Sequence, residues 1–154
     1  MSKPNSYKHR FFTTSNRVKL HYVVSSTYTT SGDTPSIVIF IHGFPDSWAL
    51  WRCYLDNENL RRRATLIAVD LPGYGGSDGL DQYDANSVLE TMSSFIVGMR
   101  KRYAARMEHV ESAKNEADNL IIVSHDWGAI IAYRLAAEAP WLANRYIMIN
   151  SILV

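Results

Sequence analysis

Two rhythms of apolar residues run along this chain. Residues 9–25 alternate apolar and polar positions around a Ser15-Asn16-Arg17 turn signal, and Val18-Lys-Leu-His-Tyr-Val-Val reads as the return strand of a hairpin. Further on come four short runs without alternation: Ile37-Val-Ile-Phe-Ile41, Thr65-Leu-Ile-Ala-Val69, Leu120-Ile-Ile-Val123 and Tyr146-Ile-Met-Ile149. An unbroken apolar run of this length predicts a strand buried on both faces of a parallel sheet. The stretches between them, Ser47 to Leu60, Tyr83 to Tyr103 and Trp127 to Ala139, are long enough for crossover helices. Strand, helix, strand, repeated, predicts an α/β fold with a mostly parallel sheet and helices on both faces.

The remaining stretches fit around that sheet. The Ser-, Thr- and Gly-containing segment from Ser25 to Ser36 predicts a surface loop, and the charged Ala104 to Asp118 a helix extension or surface excursion. The fourth run sits at the end of the chain, so residues 1–154 are expected to be the N-terminal part of one core domain, with one sheet face under-covered.

Composition narrows the function classes. Hydrophobic residues make up 47% of the 154, enough for a real core, while Lys+Arg 16 against Asp+Glu 15 leaves a net charge of +1. That balance supplies no broad basic field for nucleic acid or an acidic membrane. Arg61-Arg62-Arg63 is expected to be a solvated helix end. No stretch resembles a secretory signal or reaches the roughly 18 apolar residues of a membrane span, which makes the cytoplasm the expected compartment. Cys53 is alone, so neither a disulfide framework nor a Cys metal cluster can form within the chain, and it is expected to be a buried or half-buried helix residue. Gly73-Tyr-Gly-Gly76 lacks both the P-loop lysine and the GxGxxG spacing, so turn geometry explains it better than a phosphate site.

The chemistry concentrates in Leu120-Ile-Ile-Val-Ser-His-Asp-Trp-Gly-Ala129, a predicted strand passing into a helix through one tight turn, with small residues at Ser124, Gly128 and Ala129. This is the layout of a nucleophile elbow, with Asp126 at the apex. An aspartate, with a reference pKa of about 3.9, is a carboxylate at neutral pH and can attack an electrophilic carbon without a base. Serine there would first have to lose its proton to a histidine. Ser124, two residues earlier, is expected to pack rather than react.

A second piece, Ile41-His42-Gly43-Phe44-Pro45-Asp46-Ser47-Trp48, follows the first buried strand. Gly43 and Pro45 predict a rigid turn that aims the Phe44 N–H at the site, where the Trp127 N–H arrives from the elbow. Together they would form an oxyanion hole. Asp46 and Ser47 are expected to cap the next helix. Trp48, Trp51 and Tyr74 are candidates to line an apolar substrate pocket, and Tyr133 and Trp141 are expected to pack.

His42-Gly-Phe-Pro-Asp-Ser-Trp, Trp51-Arg52, Asp70-Leu-Pro-Gly-Tyr-Gly-Gly-Ser-Asp78 and Ser124-His-Asp-Trp-Gly-Ala129 stand in the order of the soluble epoxide hydrolases, and from residue 9 to about 150 the chain resembles that family of the α/β-hydrolase superfamily. The resemblance implies attack by Asp126 on an epoxide carbon, then hydrolysis of the resulting ester to a vicinal diol. Substrate and water are the only partners it implies, with no cofactor and no metal. His42, Gly43, Pro45, Ser124, Gly128 and Ala129 match structural positions of the family motifs, and the Asp70 position shapes its loop. In the family, proton-donating tyrosines on a cap, and a late histidine with its acid, come from chain beyond the sixth strand. Among the histidines here, His9 and His21 fall in the hairpin, His109 in the charged excursion, and His125 beside the nucleophile with its side chain turned away. All are expected to be structural or at the surface.

Two alternatives remain at this point. Dehalogenases resemble the chain in their aspartate nucleophile, but haloalkane dehalogenases usually carry Asn where Phe44 stands, and fluoroacetate dehalogenases, acting on haloacids, Arg where Trp127 stands. The other is a truncated, non-catalytic product.

Overall fold

A computed structural model describes residues 7–26, 36–104 and 119–150. The expected hairpin forms from β1 (Tyr7–Thr13) and β2 (Lys19–Ser25), paired antiparallel from Tyr7 opposite Ser25 to Thr13 opposite Lys19. Arg17, at φ 65, turns the chain between them. The unbroken apolar runs become β3 (Ser36–Ile41), β4 (Ala64–Val69), β5 (Leu120–His125) and β6 (Arg145–Ile149). The sheet order is β1-β2-β4-β3-β5-β6, with β2 antiparallel to β4 and the four strands from β4 to β6 mutually parallel.

Two helices cover one face. In α3 (Ala85–Ala104) the side chains of Met92, Phe95, Ile96 and Met99 are buried, and in α4 (Trp127–Glu138) those of Ala132 and Leu135. They pack with Ile37, Ile39, Ile41, Ile67, Val69 and Ile122 into the larger core. Phe95 stands edge-on to Phe12 and Tyr22, with ring centroids 5.9 and 5.6 Å away.

The opposite face is covered more thinly. The expected single helix from Ser47 to Leu60 is instead a 3₁₀ turn, Trp48–Trp51, followed by α1 (Arg52–Leu55) and α2 (Glu58–Arg61). Asn57 makes the break: it is extended, at φ −72 and ψ 112, and its side chain accepts the Leu60 N–H, offering the backbone an alternative to helix. Trp51 and Leu55 face inward onto Phe40, Leu66 and Ala68. Cys53, expected in the interior, is exposed because its one-turn helix turns only Leu55 to the sheet. Burial also corrects the reading of the last two strands. In β5 and β6 it alternates, with Ile147 and Ile149 exposed, since α1 and α2 reach only the middle of the sheet. Of the charged segment from 104 to 118, all but Ala104 lies outside the described residues, as does most of the loop from 25 to 36.

Candidate active site

β5 delivers the elbow. The strand ends at His125, α4 begins at Trp127, and Asp126 between them holds φ 52 and ψ −124, a conformation that L-residues rarely adopt. Hydrogen bonds fix it there. Asp126 N–H donates to the Ile149 carbonyl on β6 at 3.2 Å, and the Asp126 carbonyl accepts from Ala129 at 2.9 Å. The sharp turn brings α4 against the end of β3, where only a hydrogen fits. A Cβ on Gly128 would lie 2.4 Å from the His42 carbonyl oxygen and 2.7 Å from that of Ile41. Ala129 is buried beside it, and buried Ser124 donates its hydroxyl to the Ile147 carbonyl at 3.3 Å.

The neighbouring β3 delivers the second piece. Phe44 N–H donates to Asp126 Oδ2 at 3.0 Å, across 82 residues of sequence. Gly43 gives the carboxylate its room, because a Cβ there would sit 2.5 Å from both Cβ and Oδ2 of Asp126. Hydrogen bonds from the Trp127 and Phe44 N–H groups hold the Asp126 carboxyl below the usual carboxylate range, a shift that burial opposes and the nearby His125 adds to. The carboxylate is therefore ionised at neutral pH, with Oδ2 anchored by the donor of the Gly43–Pro45 turn. That turn closes with Asp46 N–H on the Gly43 carbonyl at 3.0 Å and contains a cis Phe44–Pro45 bond.

His42 braces the turn from behind. Its ring is buried, Nδ1–H donates to the Gly43 carbonyl at 2.8 Å, and Nε2 accepts the Leu71 N–H at 2.9 Å. With one nitrogen donating and the other accepting, the ring is neutral, and burial pushes its pKa down. Among the described residues no histidine hydrogen-bonds the Asp126 carboxylate. The Nδ1 of His125 is buried without a partner, and His109 lies outside the described residues.

The aromatic candidates divide. Phe44 and Trp127, 64% and 59% exposed, both adjoin Asp126, Trp127 as its neighbour in the chain and Phe44 through its hydrogen bond. Tyr74 is half-buried, edge-on to His42 at 5.4 Å, and Trp48 is half-buried against Tyr7 and His9. Trp51, by contrast, is 3% exposed and belongs to the core, with its ring 5.0 Å from that of Phe40, so it presents no open surface to a substrate. Tyr133 and Trp141, expected to pack, are 51% and 71% exposed, because α4 turns Ala129, Ala132 and Leu135 to the sheet and the 3₁₀ turn Pro140–Leu142 buries Leu142 instead. Ser47 caps its 3₁₀ turn by accepting from Ala49, and Asp46 accepts from Ser47.

The strained apex, the donor in the turn after the adjacent strand and the closed approach at Gly128 coincide with a sequence model described as the alpha/beta hydrolase fold, which matches residues 36–153. This chain belongs to the α/β-hydrolase fold family. Within that fold it is similar to epoxide hydrolase 3 of Mus musculus, 30% identical over 139 residues, covering 88% of this chain and 32% of the relative. It is similar also to epoxide hydrolase 1 of Caenorhabditis elegans, 28% identical over 137 residues, covering 87% and 28%. A crystal structure of an epoxide hydrolase from Vigna radiata shares the fold with a TM-score of 0.75 at 22% identity, over 100% of this chain and 41% of that one. The chain thus spans about a third of the length of these curated relatives.

Asp70, by contrast, takes no part in a reacting cluster. It is buried after β4, where its carboxylate accepts from Trp48, Gly76 and His21. Reading along the chain missed the last of these contacts: nothing local signals that His21 meets a residue 49 positions away, or that His9 joins it. Among the described residues, no group of three or more His, Cys, Asp or Glu is arranged to hold a metal, and no helix is long and apolar enough to cross a membrane.

Proposed function

We propose that this chain carries the nucleophile and oxyanion hole of an epoxide hydrolase acting on a small apolar epoxide and water. The observation that carries the reading is the Phe44 N–H on Asp126 Oδ2 at 3.0 Å, beneath an ionised carboxylate at a strained elbow. An anion whose one oxygen is anchored presents the other for in-line attack on carbon. The new bond joins a carboxylate oxygen to the epoxide carbon while the ring C–O bond breaks, leaving its electron pair on the departing oxygen, which must then take a proton. Water next adds to the ester carbonyl of Asp126, the developing oxyanion falls to the N–H groups of Phe44 and Trp127, and collapse releases the diol. The proton donor and the base for that water belong to the tyrosines and late histidine that the family resemblance implies. The names of the relatives in mouse and nematode support this substrate class. The apolar Phe44, where haloalkane dehalogenases usually carry Asn, disfavours a halide as leaving group.

The test is intact-mass analysis after incubation with an aryl epoxide and acid quench. The expected result is one adduct of the epoxide's mass on the peptide bearing Asp126, absent from Asp126→Ala. Folded protein without that adduct would overturn the assignment. Where the ester turns over, reaction in heavy-oxygen water should leave the label in Asp126.

A further inference from the structure

Behind the turn that carries the Phe44 donor, three titratable side chains form a line that the ester chemistry leaves unused. Asp70 Oδ1 accepts the Trp48 N–H at 2.7 Å, and Oδ2 accepts the Gly76 N–H at 2.9 Å and the His21 Nδ1–H at 2.7 Å. With Asp70 as the carboxylate, all three neighbours donate to it, the ring through Nδ1–H. His21 Nε2 then faces His9 Nδ1 at 2.9 Å, with the two rings stacked 5.1 Å apart. Exposed His9 packs edge-on against the Trp48 ring at 5.2 Å. The line therefore begins and ends on Trp48, at its backbone N–H and at its indole.

We propose that His9 and His21 are positioning residues that, through Asp70 and the turn from Phe44 to Trp48, hold the Phe44 N–H on the Asp126 carboxylate, and that this hold survives one added proton and fails on the second. The proposal rests on the assignment of Asp126 as nucleophile. Its basis is valence. With both rings neutral, one hydrogen lies between the facing nitrogens, carried by His9. With one proton added, one hydrogen still lies there, now carried by His21, whose charge Asp70 balances. A second proton puts hydrogens on both facing nitrogens and two cations against one carboxylate, so exposed His9 must leave.

The surroundings do not change that count. Lys19 places its ammonium over Phe11, which packs on His21, while its backbone N–H goes to Asp78. Arg52 lies over the Trp48 ring, adding positive charge on that side. Asp46 and Asp70 act on His42, whose ring nitrogens are already committed to Gly43 and Leu71. Tyr7, on the same strand as His9, packs on both His9 and Trp48.

The test follows ring and amide nitrogens by NMR in the full chain, titrated from about pH 8 to about pH 4. Amides of Trp48 and Phe44 should shift in the same step as the second protonation of the histidine pair. In His9→Phe, which keeps a ring against Trp48 and removes the nitrogens, that step should vanish from both amides, leaving any part due to His42 in place. Alkylation of Asp126 by an aryl epoxide should fall about tenfold over the same step in the parent and not in His9→Phe. At neutral pH, His21→Leu should slow alkylation about tenfold, and His21→Asn, which keeps a donor toward Asp70, should restore most of it. Amides of Phe44 and Trp48 that stay still while the histidines titrate, or a step that persists in His9→Phe, would overturn the proposal. If no adduct forms although the amides follow the histidines, it is the nucleophile assignment that fails, and the tether stands.

Discussion

Gly43 and Asp126 share a space that holds only one side chain: a Cβ on the glycine would lie 2.5 Å from the aspartate's own Cβ and from its Oδ2. The absence of that one carbon lets the Phe44 N–H and the carboxylate meet at 3.0 Å. Gly43→Ala is expected to displace the carboxylate and cut the rate of adduct formation with an aryl epoxide about a hundredfold, the scale on which a misplacement of about 1 Å acts. Quenched-flow mass spectrometry reads the rate, and a change under threefold would contradict the geometry.

Asp126 pays for its position in backbone strain. At φ 52 and ψ −124 an L-residue is disfavoured and glycine is not. Asp126→Gly should therefore abolish alkylation while raising Tm in differential scanning calorimetry, a trade of stability against activity. A lowered Tm would mean that the hydrogen bond from Phe44 stabilises more than the strain costs.

His42 gives stability a pH dependence of known sign. Burial holds its pKa below the ordinary 6.5. The unfolded chain thus binds a proton that the folded chain refuses, so the contribution of His42 to stability shrinks as pH falls below about 6.5. His42→Gln, whose side-chain oxygen can accept from Leu71, removes the titration. It should lower stability at neutral pH by about 1–3 kcal/mol through the lost bond to the Gly43 carbonyl and flatten the slope below about pH 6.5. Urea unfolding at a series of pH values checks both; an unchanged slope would show that the ring takes up its proton as readily in the fold as in the unfolded chain.

Gly128→Ala tests the closeness of strand and helix. Helix propensity alone favours alanine by about 1 kcal/mol. Here the added carbon would meet the backbone carbonyls of His42 and Ile41, at 2.4 and 2.7 Å, and neither can rotate away. A net loss of about 2–3 kcal/mol in urea unfolding is expected, with slower alkylation as α4 is pushed from β3.

Much of this was legible along the chain because it is local. Unbroken apolar runs mark β3, β4 and β5, and the small residues of the elbow mark the turn, since each constraint acts between near neighbours. The helix from 47 to 60 failed because a single asparagine, Asn57, prefers to cap rather than continue, and the apolar pattern does not register that choice. Trp51 read as a pocket residue because an indole near an elbow looks the same whether it faces substrate or Phe40; only the orientation of the 3₁₀ turn decides. The line from His9 to Asp70 was invisible for a different reason. The hairpin brings His9 and His21 together, but Asp70 follows β4, which is a neighbour of β2 only once the sheet order is known.

The Phe44–Asp126 hydrogen bond also records how the sheet was put together. Phe44 follows β3 and Asp126 follows β5, two strands that pair in parallel with Ile41 opposite Ser124. A slip of one residue would carry the carboxylate about 3.3 Å past its donor and turn the strand's side chains to the wrong face. Alkylation of Asp126 by an epoxide is therefore expected to follow strand alignment: in a refolding chain, the moment at which the adduct first forms should date the locking of those two strands, which spectroscopic measures of helix content would miss.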